Sequence, residues 1–295
     1  MKQFIFSFIA GIIFFLVCSS NTCGEKTTTS QERTSSLLWE ISGNGLANPS
    51  YLYGTIHLID KKDFIIRPFI DSVMLQTEQV AFEIKLDDMT GLMKLQALML
   101  LPEGKTLQGM MKPEDYEKLK IYLQDSLNTS IESINNQKPM VIMQMMAEKM
   151  IKGEKESFEL HFLMQCIQNQ KTILGLETVE QQMGFFDLVP YNEQISWLME
   201  EVNDPGKFDK IFEEMVGAYK TENLEAMAKL MKESSPELMK YEDVFLADRN
   251  ISWIPKIEEM IKSKTTFIAV GAGHLPGENG VIELLRKKGY VVKPV

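Results

Sequence analysis

Short apolar, β-prone runs stand at both ends of this chain, and helical periodicity fills its middle. Leu37-Leu38-Trp39-Glu40-Ile41-Ser42 reads as a strand. Turn signals follow at Gly43-Asn44-Gly45 and Asn48-Pro49-Ser50, and Tyr51 to His57 reads as the second arm of a hairpin-like start. From Pro68 to Thr77 the spacing predicts a helix with Phe69, Ile70, Val73 and Met74 on one face. Gln79 to Ile84 then reads as a buried strand carrying one carboxylate, Glu83. Strand, helix, strand in this order predicts a parallel βαβ unit. Between Asp88 and Asp248 helices dominate. Pro113-Glu114-Asp115 suits a first turn, and Pro139 opens a helix through Lys152 that Gly153 stops. Lys171 to Thr178 interrupts them as a strand. The chain closes with a strand running into His274, a helix from Val281 to Lys288 capped by Gly289, and a last strand at Tyr290-Val291-Val292. The pattern predicts an α/β fold: a mixed, largely parallel central sheet with a large helical insertion at about 88–248.

Composition narrows the class. The chain has 295 residues, 44% hydrophobic and 24% charged, which is the make-up of a folded globular protein. Its net charge of −10, without any Lys/Arg cluster, argues against nucleic acid as a main partner. Residues 1–22 read as an export signal: Lys2 gives a positive start, Phe4 to Val17 is apolar and uncharged, and Ser19-Ser20-Asn21-Thr22 is small and polar. Residues 23–36 read as a flexible tether before a domain at 37–295. Cys18 and Cys23 stand where a lipoprotein cysteine would stand, though neither follows the usual small residue. Export to the periplasm, export beyond the cell, and attachment to a membrane through an N-terminal lipid all stay open, as does an uncleaved anchor. Cys166 alone lies inside the domain, so no disulfide framework is available, and it reads as a small buried helix residue. The middle region carries 17 of the 20 methionines. They read either as flexible filler between helices or as an adaptable apolar groove.

Candidate chemistry begins with the histidines. Two of only three share one setting: Tyr53-Gly54-Thr55-Ile56-His57 and Val270-Gly271-Ala272-Gly273-His274 each carry an apolar run into Gly-x-x-His. Four β-like segments therefore end in groups able to bind metal: His57, Glu83, Glu177 and His274. Ligands of open α/β sheets sit beyond the carboxyl ends of parallel strands, so adjacent strands would bring the four together. Two histidines and a carboxylate form a known catalytic zinc set, and a further carboxylate could act as base or orient a ring. The third histidine, His161, lies within a helix and reads as structural or surface.

At these residues the chain resembles a known family. Pro49 to Leu58, Leu174-Gly175-Leu176-Glu177-Thr178 with Gln182, Arg249-Asn250 with Trp253, and Val270 to Gly277 with Gly280-Val281 and Gly289-Tyr290 look like the ordered motifs of the TraB/GumN family, which includes the TIKI proteases. The resemblance implies an α/β fold related to erythromycin esterase and the ChaN lipoprotein, with a helical insertion. It implies a divalent metal ion, manganese or cobalt, to which the two-histidine, one-carboxylate set adds zinc, and a peptide or protein substrate. By position it makes His57 and His274 the central metal-binding or catalytic residues, Glu83 the catalytic carboxylate, and Arg249 and Asn250 the residues that polarise or position substrate; the strand-end reading adds Glu177 as a metal ligand. Where the family often has a second acidic residue two places after Glu83, this chain has Lys85. The reading is thus an exported metal-dependent hydrolase, a peptidase first of all. Two alternatives remain: a non-catalytic binder of haem, metal or peptide, and an esterase-like hydrolase without metal. Since no Gly-x-Ser-x-Gly elbow is present, a serine nucleophile of the hydrolase type is disfavoured.

Overall fold

The computed structural model describes residues 35–295 apart from Ser235. The segment read as an export signal and most of the tether, including Cys18 and Cys23, lie outside the described residues. Eight strands are present among them: β1 (Leu38–Ser42), β2 (Ser50–Thr55), β3 (Ile59–Asp60), β4 (Gln79–Ile84), β5 (Lys155–Glu156), β6 (Thr172–Glu177), β7 (Thr266–Gly271) and β8 (Val291–Pro294). Six of them form one sheet in the order β6-β4-β7-β2-β1-β8. β6, β4, β7 and β2 are mutually parallel, whereas β1 runs against both β2 and β8. Every residue of β4 and of β7 is buried, as expected for central parallel strands covered on both faces.

The hairpin expected from β1 and β2 forms, with Trp39 opposite Leu52. β2 and β4 are also parallel, but they are not neighbours, because β7 from the far end of the chain lies between them. Local periodicity gives the direction of a crossover, not the strand that later fills the gap. Two short strands escape the periodicity entirely: β3 and β5 pair antiparallel as a separate ladder, and two residues are too few to show alternation. Phe69, expected on the buried face of its helix, is half exposed, while Ile70, Val73 and Met74 are buried.

The helical stretch starts at Met89–Leu98 and returns to the main sheet once, through β6. Its starts follow ordinary local rules. Thr178 closes a capping box with Gln181, and Ser157 accepts from Leu160 N. The Asp248–Ser263 helix is preceded by a π-helical turn at Asp243–Ala247, a widened geometry that often marks a working site. Aromatic packing fixes the sheet beneath. The Phe162 ring meets Tyr53 and Phe267 at centroid distances of 5.5 and 5.2 Å. No described helix is long and apolar enough to cross a membrane.

Gly175 shows how tightly β6 and the end of β4 approach. A methyl group there would stand 2.5 Å from the backbone nitrogen of Lys85, which cannot yield without breaking the strand pairing. Gly175→Ala is therefore expected to lower stability by about 1–3 kcal/mol. A denaturant midpoint equal to that of the parent protein would contradict this.

Candidate active site

The carboxyl ends of β6, β4, β7 and β2 lie side by side, and each delivers one polar group. Glu177 is the last residue of β6, and Glu83 is the penultimate residue of β4. His57 stands two residues beyond β2, and His274 ends the 3-10 turn that follows β7. The two Gly-x-x-His segments fit together through their glycines. A methyl group on Gly54 would stand 3.1 Å from Cα of Ala272 and 3.0 Å from the Leu275 side chain; one on Gly271 would stand 3.2 Å from His57 Nε2. Each motif's glycine thus makes room for the other motif.

Glu83 is the centre of the cluster. Its Oε1 accepts from Gly271 N at 2.9 Å and lies 4.0 Å from His57 Nε2 and 3.8 Å from His274 Nε2. Its Oε2 accepts from Arg249 Nη2 at 2.6 Å and from Gln182 Nε2 at 3.1 Å. Glu177 takes Arg249 Nη2 at 2.5 Å and Gln182 Nε2 on one oxygen, and Arg249 Nε and Trp253 Nε1 on the other. The remaining guanidinium nitrogen, Nη1, donates to Phe245 O and meets His274 Nε2, both at 3.2 Å.

Hydrogen bonding on the far side of each ring fixes its tautomer. Asn250 Nδ2 donates to the carbonyls of His274 and Asn279, so its Oδ1 faces His274 Nδ1, at 2.7 Å, as an acceptor. His57 Nδ1 meets Glu159 Oε1 at 2.8 Å, and the same oxygen accepts from the Thr55 hydroxyl. Both neutral rings therefore carry their proton on Nδ1 and turn an unprotonated Nε2 toward Glu83. The cluster is closed at one end: His274 is 0% exposed, while His57 at 8% and Glu83 at 7% retain a little solvent contact.

Burial works against every charge here, and the neighbours decide the outcome. It raises the Glu83 carboxyl, but Arg249 and the two imidazoles outweigh it and hold Glu83 well below the usual carboxylate range. For Glu177 burial wins over Arg249, and the carboxyl is raised. Burial would lower His57, yet Glu159 raises it above the ordinary imidazole value. Burial and then Arg249 bring His274 down to about 3. Arg249 itself is raised, because Glu83 and Glu177 outweigh its desolvation.

All six residues read from the sequence (His57, Glu83, Glu177, Arg249, Asn250 and His274) meet in this one cluster. Both oxygens of Glu177, expected at a metal, face Arg249, Gln182 and Trp253. The carboxylate oxygen between the imidazoles is that of Glu83. Arg249 and Asn250, both 2% exposed, contact Glu83, Glu177 and His274. His161 bonds Asp71 at 2.9 Å, Cys166 is buried, and Lys85 is exposed beside Asp87. Glu159 and Thr55 were not singled out by sequence. A carboxylate in the first turn of a helix has an ordinary explanation in the helix dipole, which hid Glu159.

The donor chemistry suits a divalent ion. As it stands, however, no group of three or more His, Cys, Asp or Glu side chains among the described residues is arranged to hold one. Donors sharing a tetrahedral ion with bonds near 2.1 Å lie roughly 3.4 Å apart. The pairs His57–Glu83 and His274–Glu83 are about half an ångström wider, and Arg249 Nη1 would have to leave His274 Nε2. Two imidazole lone pairs aimed at one ionised carboxylate nevertheless fit such an ion in kind and in charge.

Fold and cluster together define an α/β domain with a bis-imidazole, carboxylate-rich site at the strand ends. A family model described as the TraB/PrgY/gumN family matches residues 37–294, and the chain belongs to that family. It is 23% identical to "Metalloprotease TIKI1" of Danio rerio over 92% of this chain and 65% of that protein. It is 24% identical to "Metalloprotease TIKI2" of Xenopus tropicalis over 90% of this chain and 60% of that protein. Against "Metalloprotease TIKI1" of Homo sapiens the identity is 22%, over 89% and 62% respectively. The chain thus spans less than two thirds of the length of these relatives. No solved structure matches it.

The opposite shifts of the two rings can be read separately. In metal-free protein at pH 6, ring ¹⁵N resonances should show His57 protonated on both nitrogens and His274 neutral. Both rings charged, or both neutral, would contradict the electrostatic description.

Proposed function

We propose that this domain is a metal-dependent hydrolase acting on peptide or protein substrates. One observation carries the reading: two imidazole Nε2 atoms face a single Glu83 oxygen, each with its Nδ1 proton held by an acceptor. The similarity to the TIKI metalloproteases supports it. His57 and His274 would hold the ion, with Glu83 Oε1 as the third donor; manganese, cobalt and zinc all suit the set. When bound, a divalent ion supplies Lewis acidity to a scissile carbonyl and to water. Arg249 keeps Glu83 ionised and fixes its orientation; Glu177 holds Arg249 in turn, while Gln182 donates to both carboxylates and Trp253 to Glu177. Asn250 fixes the His274 ring. The edge at His57 and Glu83, which keeps a little solvent contact, is the side from which substrate would approach. The export signal read in residues 1–22 supports an activity outside the cytoplasm.

A second reading has an observation of its own. His57 bonded to Glu159, with Nε2 free, is also the arrangement of a general base oriented by a carboxylate. Such a site hydrolyses esters or amides without metal.

Chelation separates the two. Full-length protein stripped of metal should lose hydrolysis of an unstructured protein substrate and recover it on adding Mn²⁺, Co²⁺ or Zn²⁺. His57→Ala and His274→Ala should each lower bound metal and cut kcat/KM by at least about 100-fold. Hydrolysis that survives complete chelation selects the metal-independent reading. Unchanged metal content and hydrolysis in both variants would sink the proposal.

A further inference from the structure

Glu159 reaches the cluster from outside the strand ends. It is the second residue of the Phe158–Gln168 helix, inside the helical stretch, and it is 8% exposed. The small ladder explains how it arrives. β3 and β5 pair Ile59 with Glu156 and Asp60 with Lys155, and Lys61 N donates to Glu154 O at 2.7 Å beyond them. This ties the residues just after His57 to those just before Glu159. Two residues of pairing contribute little burial, so the consequence of the ladder lies in the juxtaposition it creates.

Both oxygens of Glu159 are used. Oε1 accepts from Thr55 Oγ at 2.5 Å and from His57 Nδ1 at 2.8 Å, and Oε2 accepts from Ser157 Oγ at 3.1 Å. The two hydroxyls hold the carboxylate still, and the carboxylate then holds the ring. His274 is held differently: its Nδ1 meets the neutral Asn250 oxygen, and its Nε2 already faces Arg249 Nη1. An anionic partner makes an imidazole a stronger donor than a neutral partner does.

We propose that Glu159 is the positioning residue of the site: it keeps the His57 proton on Nδ1 and presents Nε2 toward Glu83 as the cluster's stronger nitrogen donor. The helical stretch therefore completes the site rather than only covering the sheet. Where it concerns metal affinity this rests on the reading given under Proposed function; where it concerns the tautomer it does not.

The test uses full-length protein with ¹⁵N-labelled histidine, as Glu159→Ala and Glu159→Gln. In metal-free protein at pH 9, the parent should show His57 as the Nδ1–H tautomer, and Glu159→Ala should shift it mainly to Nε2–H. Affinity for Mn²⁺ and Zn²⁺, each titrated alone, should fall about 10–100-fold in Glu159→Ala and less in Glu159→Gln, whose amide oxygen can still accept. Should Glu159→Ala fail to fold, the Glu159→Gln affinity decides, a fall of more than twofold supporting the role. An unchanged tautomer in Glu159→Ala, or affinities within twofold of the parent in every folded variant, would overturn it by leaving Glu159 a mere helix anchor. A parent that binds neither ion would remove the metal reading, while a tautomer change in Glu159→Ala would still support the positioning role.

Discussion

The buried guanidinium of Arg249 holds this site together. It bridges Glu83 and Glu177 across adjacent strands β4 and β6 and reaches His274 beyond β7. Two carboxylates this close, out of water, would repel each other and draw protons. The shared cation leaves Glu83 ionised between the imidazoles. Such a bridge is a weak source of net stability, because desolvating three charges offsets their attraction. Its asymmetry matters more: without the cation, two carboxylates would be stranded, a loss of about 3–5 kcal/mol. The residue is therefore committed to organising the cluster, and the two carboxylates it bridges, with Gln182 and Trp253 donating to them, form one hydrogen-bonded unit.

Around that bridge the fold contributes order rather than chemistry. Parallel strands align their carboxyl ends, so four separate stretches of chain reach one place without any compact motif. The glycines at 54 and 271 let the two histidine segments interlock at distances a side chain would forbid. The site gathers its histidines from both ends of the sequence, with two further carboxylates, Glu159 and Glu177, from its middle. Each imidazole has Nδ1 tied to protein and Nε2 turned inward, where that of His274 meets Arg249, and the Nδ1 ties differ in charge. This difference separates the two rings more than their nearly equal distances to Glu83 do.

The fold class was legible in the sequence, and so was the set of residues that gathers at the strand ends. His57 and His274 stood out because a repeated Gly-x-x-His after an apolar run is rare in a chain with three histidines. Glu83 and Glu177 followed from their places at strand ends, and the family resemblance added Arg249 and Asn250. What could not be read was who faces whom. The insertion of β7 between β2 and β4 depends on a partner far along the chain, and periodicity is local. Glu177 and Glu83 look equivalent as strand-end carboxylates; only the position of Arg249 separates one that is fully engaged from one that lies between two rings. Glu159 was invisible because its helix start explained it sufficiently, and the ladder that brings it to His57 is two residues long.

On the proposed function, the imidazoles of His57 and His274 share one ion. X-ray absorption at the metal edge of zinc-loaded full-length protein measures it directly. The account predicts two imidazole nitrogens at roughly 2.0–2.1 Å from the metal in the parent, and one in His57→Ala. A first shell without imidazole in the parent, or one that His57→Ala leaves unchanged, would contradict it.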